Sequence, residues 1–466
     1  MASSRLIVLG LAVIGMFALF VRDLGVPSAA FDEAVYLASA DALADGARLG
    51  TDVFSSQPPL FFLGLDHLGR LVDGDPTAVR ACMAVIAAGG CAGAAALAHH
   101  TAGFRAALLA IVLVGLAPGF ADGAAVVWAD TPSVALGLGA LGVASAVRGS
   151  AGAAIAGALV AAAVLVKLLA LPFVAALVVL IADSGPGRWR RLAAAAAGAS
   201  AVTATVLAAE AGSLGAIYEG AVAFQLHQNT TSAGDLDPVL ADRARVAVFA
   251  LVAILATALA ARPGAVVPWA RRALVPLALL AGSAGLLVIQ EPLHPHHFVL
   301  VAAPLAVLAA TAAGPLLTSR TGPAIASALV VMAVTAAPGR PLLPENQRDA
   351  LARAAEAVRS GTSPGSAVLS DRPRVPMLAG RDGIAEAADP ATVRVRTGSL
   401  DERRLITLSR EADAVVIGRA FEHLPGFEAA VRRRFRHRVM VGRMRVYLRR
   451  APRTPGEATT RPGGSS

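Results

Sequence analysis

Residues 5–36 read RLIVLGLAVIGMFALFVRDLGVPSAAFDEAVY, an apolar run from Leu6 to Val21 followed at once by Asp23, Asp32 and Glu33. With its flanks the run approaches the roughly 20 residues that cross a bilayer. Arg5 in front and Pro27-Ser-Ala-Ala-Phe31 behind would also suit a signal peptide with its cleavage site. Retention as a first membrane span is the reading adopted, because the rest of the chain repeats the pattern. Spans are expected at 5–22, 76–98, 104–120, 128–147, 152–166, 168–183, 192–211, 244–261, 273–290, 297–317 and 321–338. The pair 152–166 and 168–183 is short and reads as tilted or re-entrant around the break Lys167-Leu-Leu-Ala-Leu-Pro172.

Composition agrees with a membrane protein. Of 466 residues, 56% are hydrophobic and only 16% charged, against about a quarter charged in soluble domains. Mean hydropathy is +0.64. A formal charge of +9 can indicate nucleic-acid binding. Here much of the charge sits in short loops between apolar blocks, where it sets orientation, and no nucleic-acid partner is expected. Arg5, Arg105, Arg148, Arg188, Arg190, Arg191, Arg262, Arg271, Arg272 and Arg320 all fall on one side of the eleven-span scheme. That side is read as cytoplasmic, with the N-terminus. Lys167 is the sole lysine, and the Ala- and Gly-rich, Arg-for-Lys usage points to a GC-rich, actinobacterial-type source. The expected location is therefore a bacterial plasma membrane. Cys82 and Cys91, nine positions apart in one apolar block, lie on opposite sides of a helix and cannot bridge each other.

In this scheme residues 1–340 form a membrane module, 341–450 an outward-facing soluble α/β domain, and 451–466 a disordered tail. Loop 23–75 also faces outward and carries nine acids against Arg48 and Arg70. It is expected to hold two helices along the membrane surface. One runs from about Glu33 to Asp45, capped by Asp32, with Leu37, Ala40, Leu43 and Ala44 on one stripe. The other begins near Pro58-Pro59 under a Ser55 or Ser56 cap and ends near Val72. Asp75-Pro76 reads as a cap and first-turn proline. In the C-terminal part a helix at about 344–360 precedes short apolar runs at Ala367, Ala414, Val439 and Met444, a strand-and-helix pattern.

Few residues here bear chemistry. Asp32 can cap a helix or serve as a general base toward an acceptor hydroxyl. Asp130, in Trp128-Ala-Asp-Thr-Pro132, sits where Thr131 and Pro132 could simply start a helix, yet an acid so near the bilayer is a functional candidate. Lys167 between two apolar segments either snorkels to bulk lipid or a carbonyl, or binds a lipid phosphate. His294, His296 and His297, in a Pro-broken stretch, fit phosphate contact, metal ligation or a structural loop. Phosphate contact is preferred to metal, and no cofactor is expected; a divalent cation has no support in the sequence. There is no Walker loop, no dinucleotide fingerprint after a strand, no HExxH and no CxxC. A soluble nucleotide sugar is thereby disfavoured as a donor.

The assembled pattern resembles the GT-C superfamily of membrane glycosyltransferases, and within it the protein O-mannosyltransferase and lipid A aminoarabinose transferase group. The resemblance is carried by Phe31-Asp-Glu-Ala-Val-Tyr36, Gln57-Pro-Pro-Leu-Phe61, Asp130 and Val166-Lys-Leu-Leu-Ala-Leu-Pro172. It implies a mainly α, polytopic membrane fold of about eleven transmembrane helices with a small extracytoplasmic α/β domain. It also implies transfer of a sugar from a polyprenyl-phosphate donor to a cell-envelope acceptor, with inversion. Asp32 would be the catalytic base. Glu33, Tyr36, Gln57 and Asp130 would shape the substrate pocket, and Lys167, His294, His296 and His297 would hold the donor phosphate. The chain departs from some such relatives in placing His294-Pro-His-His297 where an arginine or tyrosine would stand. Two other readings stay open: a transporter or flippase using acids for proton coupling, and a catalytically inert scaffold presenting the C-terminal domain.

Overall fold

The computed structural model describes residues 2–227, 266–290, 293–318 and 341–450, with helical positions at 247, 327, 330, 331 and 333–335. The expected span at 244–261, most of that at 321–338 and the tail 451–466 lie outside the described residues. The chain divides into two compact units. One comprises Met1–Ser28 with Ser55–Leu342, and the other Ala29–Phe54 with Leu343–Ser466. The acidic loop is thus shared between them.

The first unit is helical. Among the described residues, Ser3–Phe20, Pro76–Ala102, Arg188–Ala209 and Pro295–Leu317 are long and apolar enough to cross a membrane. Shorter apolar helices are Phe104–Gly115, Ser150–Val166, Leu168–Ala182 and Ala273–Ile289. Helix Pro76–Ala102 starts where expected, with the Asp75 carboxylate accepting from Thr77 N at 2.9 Å. It stops at Gly103, whose φ of +88° lets the chain reverse into Phe104–Gly115. The expected span 104–120 is shorter than read, because Pro118 and Gly119 follow and the latter lies at φ +78°.

Small residues let these helices touch backbone to backbone. A Cβ placed on Gly93 would lie 2.5 Å from Leu138 O, and one on Gly142 would lie 2.6 Å from Gly93 Cα. Helices Pro76–Ala102 and Asp130–Ala146 can approach this closely only without those side chains. Gly157 and Gly198 do the same for helices Ser150–Val166 and Arg188–Ala209, against Ala195 O and Ala154 O. The core between them is mainly Ala, Val and Leu, with Phe120 and Phe173 fully buried.

Helix Pro59–Leu71 also belongs to this unit. Neither serine caps it: its N-cap is Pro58, and Ser55 Oγ instead donates to Gln57 O at 2.8 Å. Proline at the first helical position removes one of the amides a cap would satisfy.

The second unit is α/β. Its five-stranded sheet has the order β2-β1-β3-β5-β4, with β1 Ala367–Ser370, β2 Asp382–Gly383, β3 Ala414–Ile417, β4 His437–Val441 and β5 Met444–Leu448. β1 is parallel to β2 and β3, while β5 is antiparallel to β3 and β4. Period-2 alternation covers both faces. Val368, Val416, Val446 and Leu448 pack with Ala354, Ala355 and Val358 of helix Glu345–Gly361. Leu369, Val415, Ile417 and Tyr447 pack with Leu405, Leu408, Phe427 and Val431 on the opposite face.

Helix Phe31–Ala44 completes this unit. It begins earlier than expected, so Asp32 is not its cap: the N-cap is Ala30, and Asp32 and Glu33 lie in the first turn. Acids there still favour the helix, since they face the positive end of its dipole. Of the expected apolar stripe, Leu37, Ala40 and Leu43 are buried and Ala44 is exposed.

Candidate active site

The sequence-derived residues fall into two groups, one in each unit. In the helical unit, Asp130 opens helix Asp130–Ala146 behind Ala129. Thr131 does not cap that helix. Its hydroxyl donates to Gly119 O at 3.4 Å and accepts from Trp128 Nε1 at 3.2 Å, tying the helix start to the preceding turn. Lys167 follows helix Ser150–Val166 in extended conformation, and a 3-10 turn at Leu168–Ala170 leads to Pro172. Pro172, which cannot continue a preceding helix, opens the next. The interruption lets the lysine turn inward, and its Nζ donates to Asp130 Oδ2 at 2.8 Å, with both residues buried.

The histidines gather around this pair. Pro295 starts a 3-10 turn, Pro295–Phe298, ahead of helix Val299–Ala313. His296 Nε2 lies 3.8 Å from Asp130 Oδ2. Its ring stands 5.2 Å from Trp128 and 4.7 Å from His297, edge-on to the latter. His297 is buried and accepts from His294 N through Nδ1 at 3.3 Å, while His294 is exposed. The ligand atoms of Asp130, His296 and His297 all lie within 4.8 Å of one another. That donor set suits a divalent cation in kind. The ammonium already on Asp130 Oδ2 opposes it, because a cation there would face Lys167 at close range. An ammonium has three donors, so the carboxylate leaves Lys167 able to meet further oxygens.

In the α/β unit, Asp32 is partly exposed, and Glu33 and Tyr36 are buried. Glu33 Oε2 accepts from an Arg374 guanidinium nitrogen at 3.1 Å. The Arg419 guanidinium lies over the Phe31 ring at 4.6 Å. Burial and the neighbouring Arg372 pull Arg419 below the ordinary guanidinium range, against the opposing charges of Asp32 and Asp371. Asp371 is fully buried and accepts from Gly418 N at 2.9 Å, Arg419 N at 2.7 Å and Phe421 N at 2.9 Å. Burial raises its carboxyl above the usual range against the pull of those amides. At the far end of the segment, the Arg394 guanidinium stands 3.9 Å over the Phe54 ring.

Arg374, Arg394 and Arg419 were not among the residues singled out in the sequence. Their only local signal is position: Arg374 and Arg419 follow the carboxyl ends of parallel strands, where open α/β sheets place binding residues. Gln57 lies in the helical unit, half-buried just before Pro58.

No protein-family model and no curated protein sequence matches the chain. Solved structures do. ArnT from Cupriavidus metallidurans in the apo state superposes with a TM-score of 0.65 at 14% identity, over 96% of this chain and 98% of that one. The chain has the GT-C fold. The same ArnT bound to undecaprenyl phosphate gives a TM-score of 0.63 at 14% identity, over 96% and 98% of the two chains. The Archaeoglobus fulgidus oligosaccharyltransferase in its apo form gives 0.52 at 14% identity, over 92% of this chain and 71% of that. Mycobacterial arabinofuranosyltransferase AftD gives 0.51 at 15% identity, over 95% of this chain and 40% of that. At these identities the likeness shows the fold alone.

Proposed function

We propose that this GT-C chain is a glycosyltransferase that moves a sugar from a polyprenyl-phosphate donor to a hydroxyl of a cell-envelope acceptor, inverting the anomeric carbon. One observation carries the reading: a buried ammonium, Lys167, held by Asp130 at 2.8 Å with the His296 imidazole 3.8 Å from the same carboxylate oxygen, stands where apolar helices begin and end. A lipid-borne phosphate has the charge and depth for that group. Undecaprenyl phosphate in one ArnT structure and dolichol phosphate on the Archaeoglobus AglB support the donor class.

The chemistry follows from the charges. Asp32 accepts the proton of the acceptor hydroxyl as its oxygen bonds to the anomeric carbon. The bond from that carbon to the phosphate oxygen breaks, and polyprenyl phosphate leaves with the electron pair. Lys167, with His296 and His297, stabilises the growing charge on the phosphate oxygens, and preorganised donors of this kind act chiefly in the transition state. Asp130 orients the lysine, while Glu33, Tyr36 and Gln57 shape the acceptor or donor surroundings and His294 meets the phosphate from the exposed side. The eleven-span arrangement in a bacterial plasma membrane, with a cytoplasmic N-terminus and an extracytoplasmic domain, gives this reaction its outward location.

The test is direct. Purified protein receives a labelled polyprenyl-phosphate sugar and envelope acceptors, and labelled acceptor with released polyprenyl phosphate is the expected outcome. Uptake of the intact donor into proteoliposomes with no covalent product would favour a flippase.

A further inference from the structure

In an open α/β sheet, ligands bind outside the carboxyl ends of the strands where the strand order changes direction. Here that place is between β1 and β3, because β1 has β2 on one side and β3 on the other. The segments that leave those strand ends, Asp371–Pro373 into helix Arg374–Ala379 and Gly418–Ala420 into the 3-10 turn Phe421–His423, are bound to each other. The buried Asp371 carboxylate gathers three amides of the second loop, and Arg372 donates to Gly418 O at 2.8 Å. What lies against them is the chain's own first-loop segment: Phe31 under Arg419 and Glu33 against Arg374. Arg394 grips the same segment at Phe54. Three arginines distant in sequence therefore hold residues 29–54 near both ends.

We propose that the C-terminal domain is a positioning device for the base: it binds the Phe31–Ala44 helix in its strand-end crevice, and Arg374, through the buried Glu33, fixes the orientation of Asp32. The inference rests on the reading of Asp32 as the base. Arg374 acts through Glu33 and is a positioning residue, not a catalytic one. The physical reason is leverage. Asp32 and Glu33 are consecutive in one helical turn, so a fixed Glu33 side chain leaves helix rotation little freedom, and misplacement of a base by about 1 Å can cost about a hundredfold in rate. Glu33 is fully buried, so losing the guanidinium that meets it is unfavourable.

The test uses the full-length protein in detergent or nanodiscs, with four variants: Arg374→Gln, Arg374→Lys, the double Glu33→Gln/Arg374→Gln, and Asp32→Asn as control. Amide hydrogen exchange over residues 31–44 reads the positioning, and transfer from a labelled polyprenyl-phosphate sugar reads its consequence. Arg374→Gln should speed exchange in that helix and lower kcat about ten- to a hundredfold with donor KM unchanged. Arg374→Lys should recover part of both. The double variant should exchange more slowly than Arg374→Gln alone, because the carboxylate that Arg374 met is neutralised with it. Unchanged exchange in Arg374→Gln, or a double variant that exchanges as fast as Arg374→Gln or faster, would overturn the inference. Asp32→Asn separates the two claims: full transfer by that variant sinks the base assignment, while the exchange results still decide whether the domain holds the helix.

Discussion

The two units each bury a carboxylate against a cation, and they do so in opposite ways. Asp130 and Lys167 are 37 residues apart, both at interruptions of apolar helices, and their atoms meet at 2.8 Å. Glu33 and Arg374 are 341 residues apart, in the first turns of helices Phe31–Ala44 and Arg374–Ala379, and meet at 3.1 Å. The first pair uses a compact ammonium with donors to spare. The second uses a planar guanidinium, which fixes orientation better than it shares itself. The contrast suggests a division of labour, with Lys167 as a charge to be offered to substrate and Arg374 as a brace.

That division can be broken experimentally at either pair. The largest effect is expected at the membrane pair. Lys167→Ala should lower transfer about 10²–10³-fold, as loss of a preorganised donor does, and should also destabilise the fold by about 3–5 kcal/mol, because Asp130 is left buried without its cation. The double Asp130→Asn/Lys167→Met should regain stability in a thermal melt and regain no transfer. Recovery of transfer would make the lysine structural. Next in size is Arg374→Gln, whose loss should come with normal donor KM, whereas a charge that met the donor would raise KM.

A smaller effect concerns pH. Desolvation by the surrounding fold and the neighbouring Asp45 push the Asp41 carboxyl up to about 6 from 3.8, although the residue keeps an exposed face. A raised folded pKa means that the fold prefers the neutral acid, so this stabilisation is full below about pH 4 and is lost as pH rises through about 6. Melting temperature should therefore fall across that window, and Asp41→Asn should flatten the fall. The smallest effect is on metal: chelation should leave the transfer rate unchanged if the Asp130 cluster serves phosphate. A chelator-sensitive rate restored by a divalent cation would assign Asp130, His296 and His297 to a metal.

The two pairs also differ in how they could be read from sequence. Asp130 and Lys167 stand out because a charge inside an apolar run has few ordinary explanations. The break at Lys167 is legible from Pro172, and Asp75-Pro76 from its capping pattern. The strands of the appended domain lie close to the short apolar runs, since β3 is apolar throughout and β5 nearly so. Arg374 and Arg419 carry no such mark: they are two among the 41 basic residues, and their importance comes from a pairing across most of the chain. The N-cap at Ala30 rather than Asp32 has a local reason. The helix starts two residues earlier, at Phe31, because Ala30 supplies an extended backbone, at φ −61° and ψ 124°, without any side-chain cap. Freed from capping, Asp32 is a first-turn acid at the helix's positive end, within electrostatic reach of Arg419.

The most direct measurement is single-turnover transfer from a labelled polyprenyl-phosphate sugar by wild type and Asp32→Asn, with donor binding measured on the same samples. A base predicts donor binding retained and transfer slowed about 10²–10⁴-fold. Transfer by Asp32→Asn at the wild-type rate would contradict the account.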